Sequence, residues 1–185
     1  QLQGHRYDGV VVVGFTHQSQ FDGSSVDTVE AYETPLGKIP VNQEAAAVLQ
    51  TFPGIHHLED AHESGEHSLE VELPFLQVVL GRFRLVPILM GNARFEDAQQ
   101  LAEALARLAR LGDYLFVFST DLSHYHPDEQ AVQRDEATVN AMVFETANAV
   151  DRLFSMGYLE ACGRGPITAS LLLAQRLGYP ARRLL

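Results

Sequence analysis

Val10-Val11-Val12-Val13-Gly14-Phe15-Thr16-His17 is the stretch that decides the fold. Four consecutive β-branched residues, with no polar alternation, describe a strand covered on both faces, as in a parallel sheet carrying helices on either side. Gly14 closes the run, and the chain passes through His17 into a polar, turn-prone loop, Phe21-Asp22-Gly23-Ser24-Ser25. Tyr114 to Phe118 repeats the buried-strand pattern and leads directly into Ser119-Thr120-Asp121-Leu122-Ser123-His124. A histidine therefore stands just beyond each of two buried strands.

Working outward, residues 27–32 read as a short strand, Pro35-Leu36-Gly37 as a turn, and Asn42 as the opening of a helix through Ala45, Val48 and Leu49. Residues 52–66 read as irregular and polar. From His67 the apolar residues Leu69, Leu73, Leu76 and Leu80 recur at helical spacing, with Pro74 expected to kink that helix. A strand over 83–89, an amphipathic helix over 95–111 and helices over 128–144 and 149–156 follow. Cys162-Gly163-Arg164-Gly165-Pro166 forms a tight loop, with Pro166 in the first turn of a helix running to Leu177. This alternation predicts an α/β layered fold with a largely parallel central sheet flanked by helices, in one domain.

Composition narrows the functional classes. The 185 residues are 46% hydrophobic, enough for one sizeable core, and carry a formal net charge of -11. Such a surface repels phosphate backbones and anionic headgroups, so neither nucleic acid nor membrane is the expected partner. No apolar run nears the roughly 20 residues that span a bilayer, and residues 1–7 have no leader pattern. The expectation is a cytoplasmic protein. Cys162 is the one cysteine, so it is a buried filler, a free thiol or a ligand.

Parallel sheets gather ligands beyond the carboxyl ends of their strands. His17, Asp121 and His124 follow buried strands, while His67 and Cys162 lie at helix starts, so all five are candidates for that one edge. Imidazole and thiolate together suit zinc, iron or copper. The spacing matches no compact metal motif, however, and each residue has an ordinary alternative. Taken alone, His17 reads more readily as a hydrogen-bonded loop residue than as a ligand, and His67 as a helix start with Glu70 completing a capping box. Cys162 reads as a small buried hydrophobe and Asp121 as a turn cap. His56, His57 and His62, among Glu59, Asp60 and Glu63, read as a solvated loop, with a weak second metal site as the alternative.

Four segments resemble the Memo family, whose prokaryotic members are known as protein B of the AmmeMemoRadiSam system. Gly14-Phe15-Thr16-His17 followed by Phe21-Asp22-Gly23 is similar to its Gly-Pro-Ser-His loop, with Phe15 and Thr16 departing from the pattern. Glu66-His67-Ser68-Leu69-Glu70, continuing to Leu73-Pro74-Phe75, resembles its Glu-His-Ser segment. Ser119-Thr120-Asp121-Leu122-Ser123-His124 resembles its Ser-Ser-Asp-x-x-His turn, and Cys162-Gly163-Arg164-Gly165-Pro166-Ile167 its Cys-Gly-x-x-Pro-Ile loop. The order of the segments is the family's order.

The resemblance implies a fold shared with class III extradiol dioxygenases and a metal, iron or copper with zinc also acceptable, held at His17, His67 and Cys162. It places Asp121 and His124 beside that metal as catalytic groups, with His124 moving protons and Asp121 orienting it. It also implies a single Memo-like domain over 1–185 that lacks the family's N-terminal strand and further C-terminal strands. Partners implied are a small-molecule or peptide ligand, with radical SAM and AMMECR-type proteins. The dioxygenases use two histidines and a carboxylate, whereas here the third position falls on Cys162, so ring opening does not follow from fold. The leading expectation is a metal-dependent, dioxygenase-like oxidoreductase. The alternatives are a non-catalytic peptide- or partner-binding module on the same scaffold and zinc-assisted hydrolysis.

Overall fold

The computed structural model describes residues 2–179 apart from 64 and 93. Along the described chain run β1 (Gly9–Phe15), β2 (Ser24–Val26), β3 (Ala31–Thr34), β4 (Gly37–Pro40), α1 (Gln43–Leu49), β5 (Ile55–His56), α2 (Glu59–Glu63), α3 (Leu73–Leu80), β6 (Leu85–Met90), α4 (Phe95–Leu108), β7 (Tyr114–Phe118), α5 (Asp128–Phe144), α6 (Ala147–Ser155) and α7 (Arg164–Arg176). The main sheet has the order β5-β2-β6-β1-β7, and β3 with β4 forms a separate hairpin. β1 pairs in parallel with both β6 and β7, and β2 with β5, while β2 and β6 are antiparallel. The central sheet is thus mostly parallel and flanked by helices, as the valine run predicts.

That run explains the layering. Alternate residues point to opposite faces of a strand, and Val10, Val11, Val12 and Val13 are all fully buried. Val11 and Val13 join Ala46 and Leu49 of α1, Leu101 and Leu105 of α4, and Ala169 and Leu173 of α7. Val10 and Val12 pack on the other face with Leu69, Leu73, Leu76 and Ile39. Asn42 caps α1 by accepting the Ala45 N–H at 3.2 Å, satisfying a donor that the helix itself cannot.

Three local expectations differ from the structure. The helix does not begin at His67: residues 68–72 form turns, Glu72 is the N-cap, and Pro74 sits in the first turn of α3. Proline costs nothing there, because the first amides of a helix have no intrahelical acceptor, so Pro74 starts the helix instead of kinking it. The strand expected over 27–32 is split, with β2 ending before Asp27 and β3 starting at Ala31.

The third difference is the histidine-rich loop. His62 lies on α2 with only 4% of its side chain exposed, so it is not part of a solvated loop. Its Nε2 is 3.0 Å from the Ser25 hydroxyl and its Nδ1 3.3 Å from the Tyr32 hydroxyl, which donates to buried Asp27 at 2.8 Å. Burial lowers the His62 pKa below the ordinary 6.5, opposed by the charge of Asp27. The unfolded chain therefore takes up this proton at a higher pH than the native ring does, so stability falls as pH drops below the ordinary histidine value. The urea midpoint is expected to be lower at about pH 5.5 than at about pH 7.5, with His62→Gln narrowing the difference. An unchanged difference in the variant would assign the acid sensitivity to other groups.

Candidate metal centre

β1 delivers the first histidine. Beyond Phe15 the chain turns with Thr16 buried: its N–H donates to the Met90 carbonyl at 3.0 Å and its Oγ1 accepts the Ser19 N–H at 3.0 Å. Glu66-His67-Ser68 docks against this turn from both sides. The Ser68 hydroxyl donates to the Phe15 carbonyl at 3.0 Å, and Glu66 Oε2 accepts the His17 N–H at 2.5 Å. Gly14 is required here, because a Cβ would collide with the Ser68 hydroxyl. As a result the rings of His17 and His67 lie 4.7 Å apart between centroids, tilted by only 22°, with Phe15 edge-on to His17 at 5.8 Å.

Glu66 is the hub of this arrangement. Its side chain is 2% exposed, and its Oε1 accepts the N–H groups of His67 at 2.9 Å and Ser68 at 2.8 Å. His17 Nδ1 adds a contact at 3.1 Å. Burial alone would raise the Glu66 pKa, but the hydrogen bonds from Ser68 and His17 outweigh it and bring it down to about 2. Possible ligand atoms of His17, Glu66 and His67 all lie within 4.8 Å of one another. Two imidazoles side by side are a donor pair that a borderline transition metal accepts, so the residues present fit such an ion.

Cys162 and Asp121 form a second group. The Asp121 N–H donates to Cys162 Sγ at 3.2 Å, and the Cys162 N–H donates to the Asp121 carbonyl at 3.2 Å. Gly163, which caps α7, approaches Thr120 so closely that a Cβ would lie 2.6 Å from the Thr120 Cβ. His124 Nε2 is 3.8 Å from Asp121 Oδ2, too long for a hydrogen bond, and both side chains are exposed. Glu160 anchors their loop by accepting the His124 N–H at 3.0 Å and pairing with His126 at 2.8 Å. Its pKa is lowered by these hydrogen bonds.

The two groups share one sheet edge because β1 and β7 are parallel neighbours with Val13 opposite Phe118. The structure brings His17 to His67, and Cys162 to Asp121; Cys162 is outside the tight set of His17, Glu66 and His67. Sequence reading gave no role to Glu66 or Glu160. Glu66 had a signal, its place beside His67, whereas Glu160 had none. A concavity of about 1360 Å³ opens among Arg6, Lys38, Arg82 and Arg84, and none of the site residues lines it. Among the described residues no helix is long and apolar enough to cross a membrane.

Residues 1–185 match the family model described as Memo-like protein. A MEMO1 family protein of Pyrobaculum arsenaticum is 31% identical over 183 residues, covering 93% of this chain and 62% of that protein. Another, of Aeropyrum pernix, is 32% identical over 182 residues, covering 97% and 65%. The chain thus spans somewhat under two thirds of the length of these curated relatives. The crystal structure of an uncharacterised Escherichia coli K12 protein superimposes with a TM-score of 0.62 at 16% identity, over 91% of this chain and 76% of that one. At this identity the likeness concerns fold alone.

Proposed function

The chain belongs to the Memo-like family, and from that premise we propose that it is a metal-binding, dioxygenase-like oxidoreductase whose donors are His17, His67 and Cys162. The observation that carries the reading is the stacked histidine pair. His17 has its Nδ1 committed to Glu66, which leaves Nε2 open, and the His67 ring makes no hydrogen bond among the described residues. Iron or copper would supply redox and Lewis-acid chemistry at this position, and zinc the Lewis-acid part alone.

The remaining residues have distinct work. The Asp121 N–H gives the Cys162 sulfur a fixed direction. His124, exposed and pinned through its backbone to Glu160, takes a proton from a substrate or returns one at Nδ1, with the Asp121 carboxylate orienting it through Nε2. Their 3.8 Å separation is of the kind that tightens once substrate enters. The ligand this edge suits is a small organic molecule or a peptide, with radical SAM and AMMECR-type proteins as the partners proposed for the whole protein.

Cys162→Ser tests the assignment. Cobalt(II) added to the wild type is expected to give a sulfur-to-metal charge-transfer band that the variant lacks. Oxygen consumption by the iron-loaded variant is expected to fall by about 10-fold or more. Equal consumption in both proteins, with peptide binding intact, would favour a non-catalytic binding module. Undiminished turnover with zinc would instead point to hydrolysis.

A further inference from the structure

We propose that Glu66 is a positioning residue and not a ligand: it holds the proton of His17 on Nδ1 and so keeps Nε2 free to face the metal. The inference rests on the metal reading above. The three side chains His17, Glu66 and His67 superficially offer two histidines and a carboxylate, a set that binds non-haem iron in other proteins.

Hydrogen-bond capacity decides against that set. A carboxylate has about four acceptor sites. Those of Glu66 already receive the N–H groups of His17, His67 and Ser68 and the His17 ring, and its side chain is 2% exposed. Nothing remains for a cation unless the turn that carries both histidines comes apart. A carboxylate can only accept, so the ring nitrogen facing it, Nδ1, is the one that bears hydrogen. Ligating histidines are commonly set in this way by a carboxylate on their far nitrogen. Here one residue performs that task and also ties the His17 backbone to the His67 turn, which fixes the spacing of the two rings.

Long-range nitrogen-15 NMR of the metal-free wild type is expected to show His17 protonated on Nδ1. Glu66→Gln keeps the shape but leaves one acceptor oxygen and introduces an amide facing N–H donors. Its affinity for zinc(II) alone, measured against a competing chelator, is expected to fall about 10–100-fold, with His17 losing the Nδ1–H form. Wild-type affinity in Glu66→Gln, or His17 protonated on Nε2 in the wild type, overturns the inference. His17→Ala binding zinc(II) as tightly as wild type would overturn the metal reading instead. The tautomer measurement needs neither the metal nor a folded variant, so it judges Glu66 in either case.

Discussion

Replacing His17 by alanine is expected to weaken zinc(II) or iron(II) binding by at least roughly 100-fold, beyond the range typical of outer-sphere losses. The physical reason is local. His17 occupies a turn whose geometry is held by other groups: Thr16 bonds Met90, Ser68 bonds Phe15, and Glu66 keeps its N–H contacts to His67 and Ser68. The backbone contact from residue 17 to Glu66 also survives the substitution. The thermal midpoint of the metal-free protein is therefore expected to move by no more than about 2–4 °C. Competition titration and calorimetry check the two halves. Retained affinity, or a collapse in stability matching the loss of affinity, would show that His17 serves the fold.

Leu73→Ala is expected to do the reverse. Leu73 is fully buried at the start of α3, packed with Val10, Val12, Leu69, Leu76, Leu85 and Leu89. Truncation removes the buried methyl groups and leaves a cavity that the sheet cannot close, costing about 2–5 kcal/mol. Denaturant unfolding measures the cost. Metal affinity should change little under conditions where the variant is folded, because the core cluster that holds Leu73 contains none of the proposed donors. A cost under about 1 kcal/mol would mean that this face of the sheet is loosely packed. Together the two variants separate binding from stability.

The sheet was legible because four valines leave no polar face, and only a strand between two helical layers needs none. The edge that collects His17 and Asp121 followed from parallel pairing. Pro74 misled because Leu69 is buried beside Leu73 and Leu76 although it lies in a turn, so the apolar spacing of a helix continues past the end of the helix itself. His62 was illegible for another reason. Its polar partners, Ser25, Tyr32 and Asp27, come from segments that only the tertiary fold sets against α2. Glu66 sits in plain view beside His67, but its saturation by N–H donors depends on a turn 49 residues away. Cys162 could be placed on the correct loop from sequence, and the Asp121 amide that meets its sulfur could not.

X-ray absorption on metal-loaded protein, compared with Cys162→Ser, is the most direct measurement. The expected inner sphere contains two imidazole nitrogens and one sulfur, and the sulfur disappears in the variant. A spectrum with imidazole and carboxylate oxygen but no sulfur, unchanged by the substitution, would contradict the donor set of His17, His67 and Cys162 and place Glu66 on the metal.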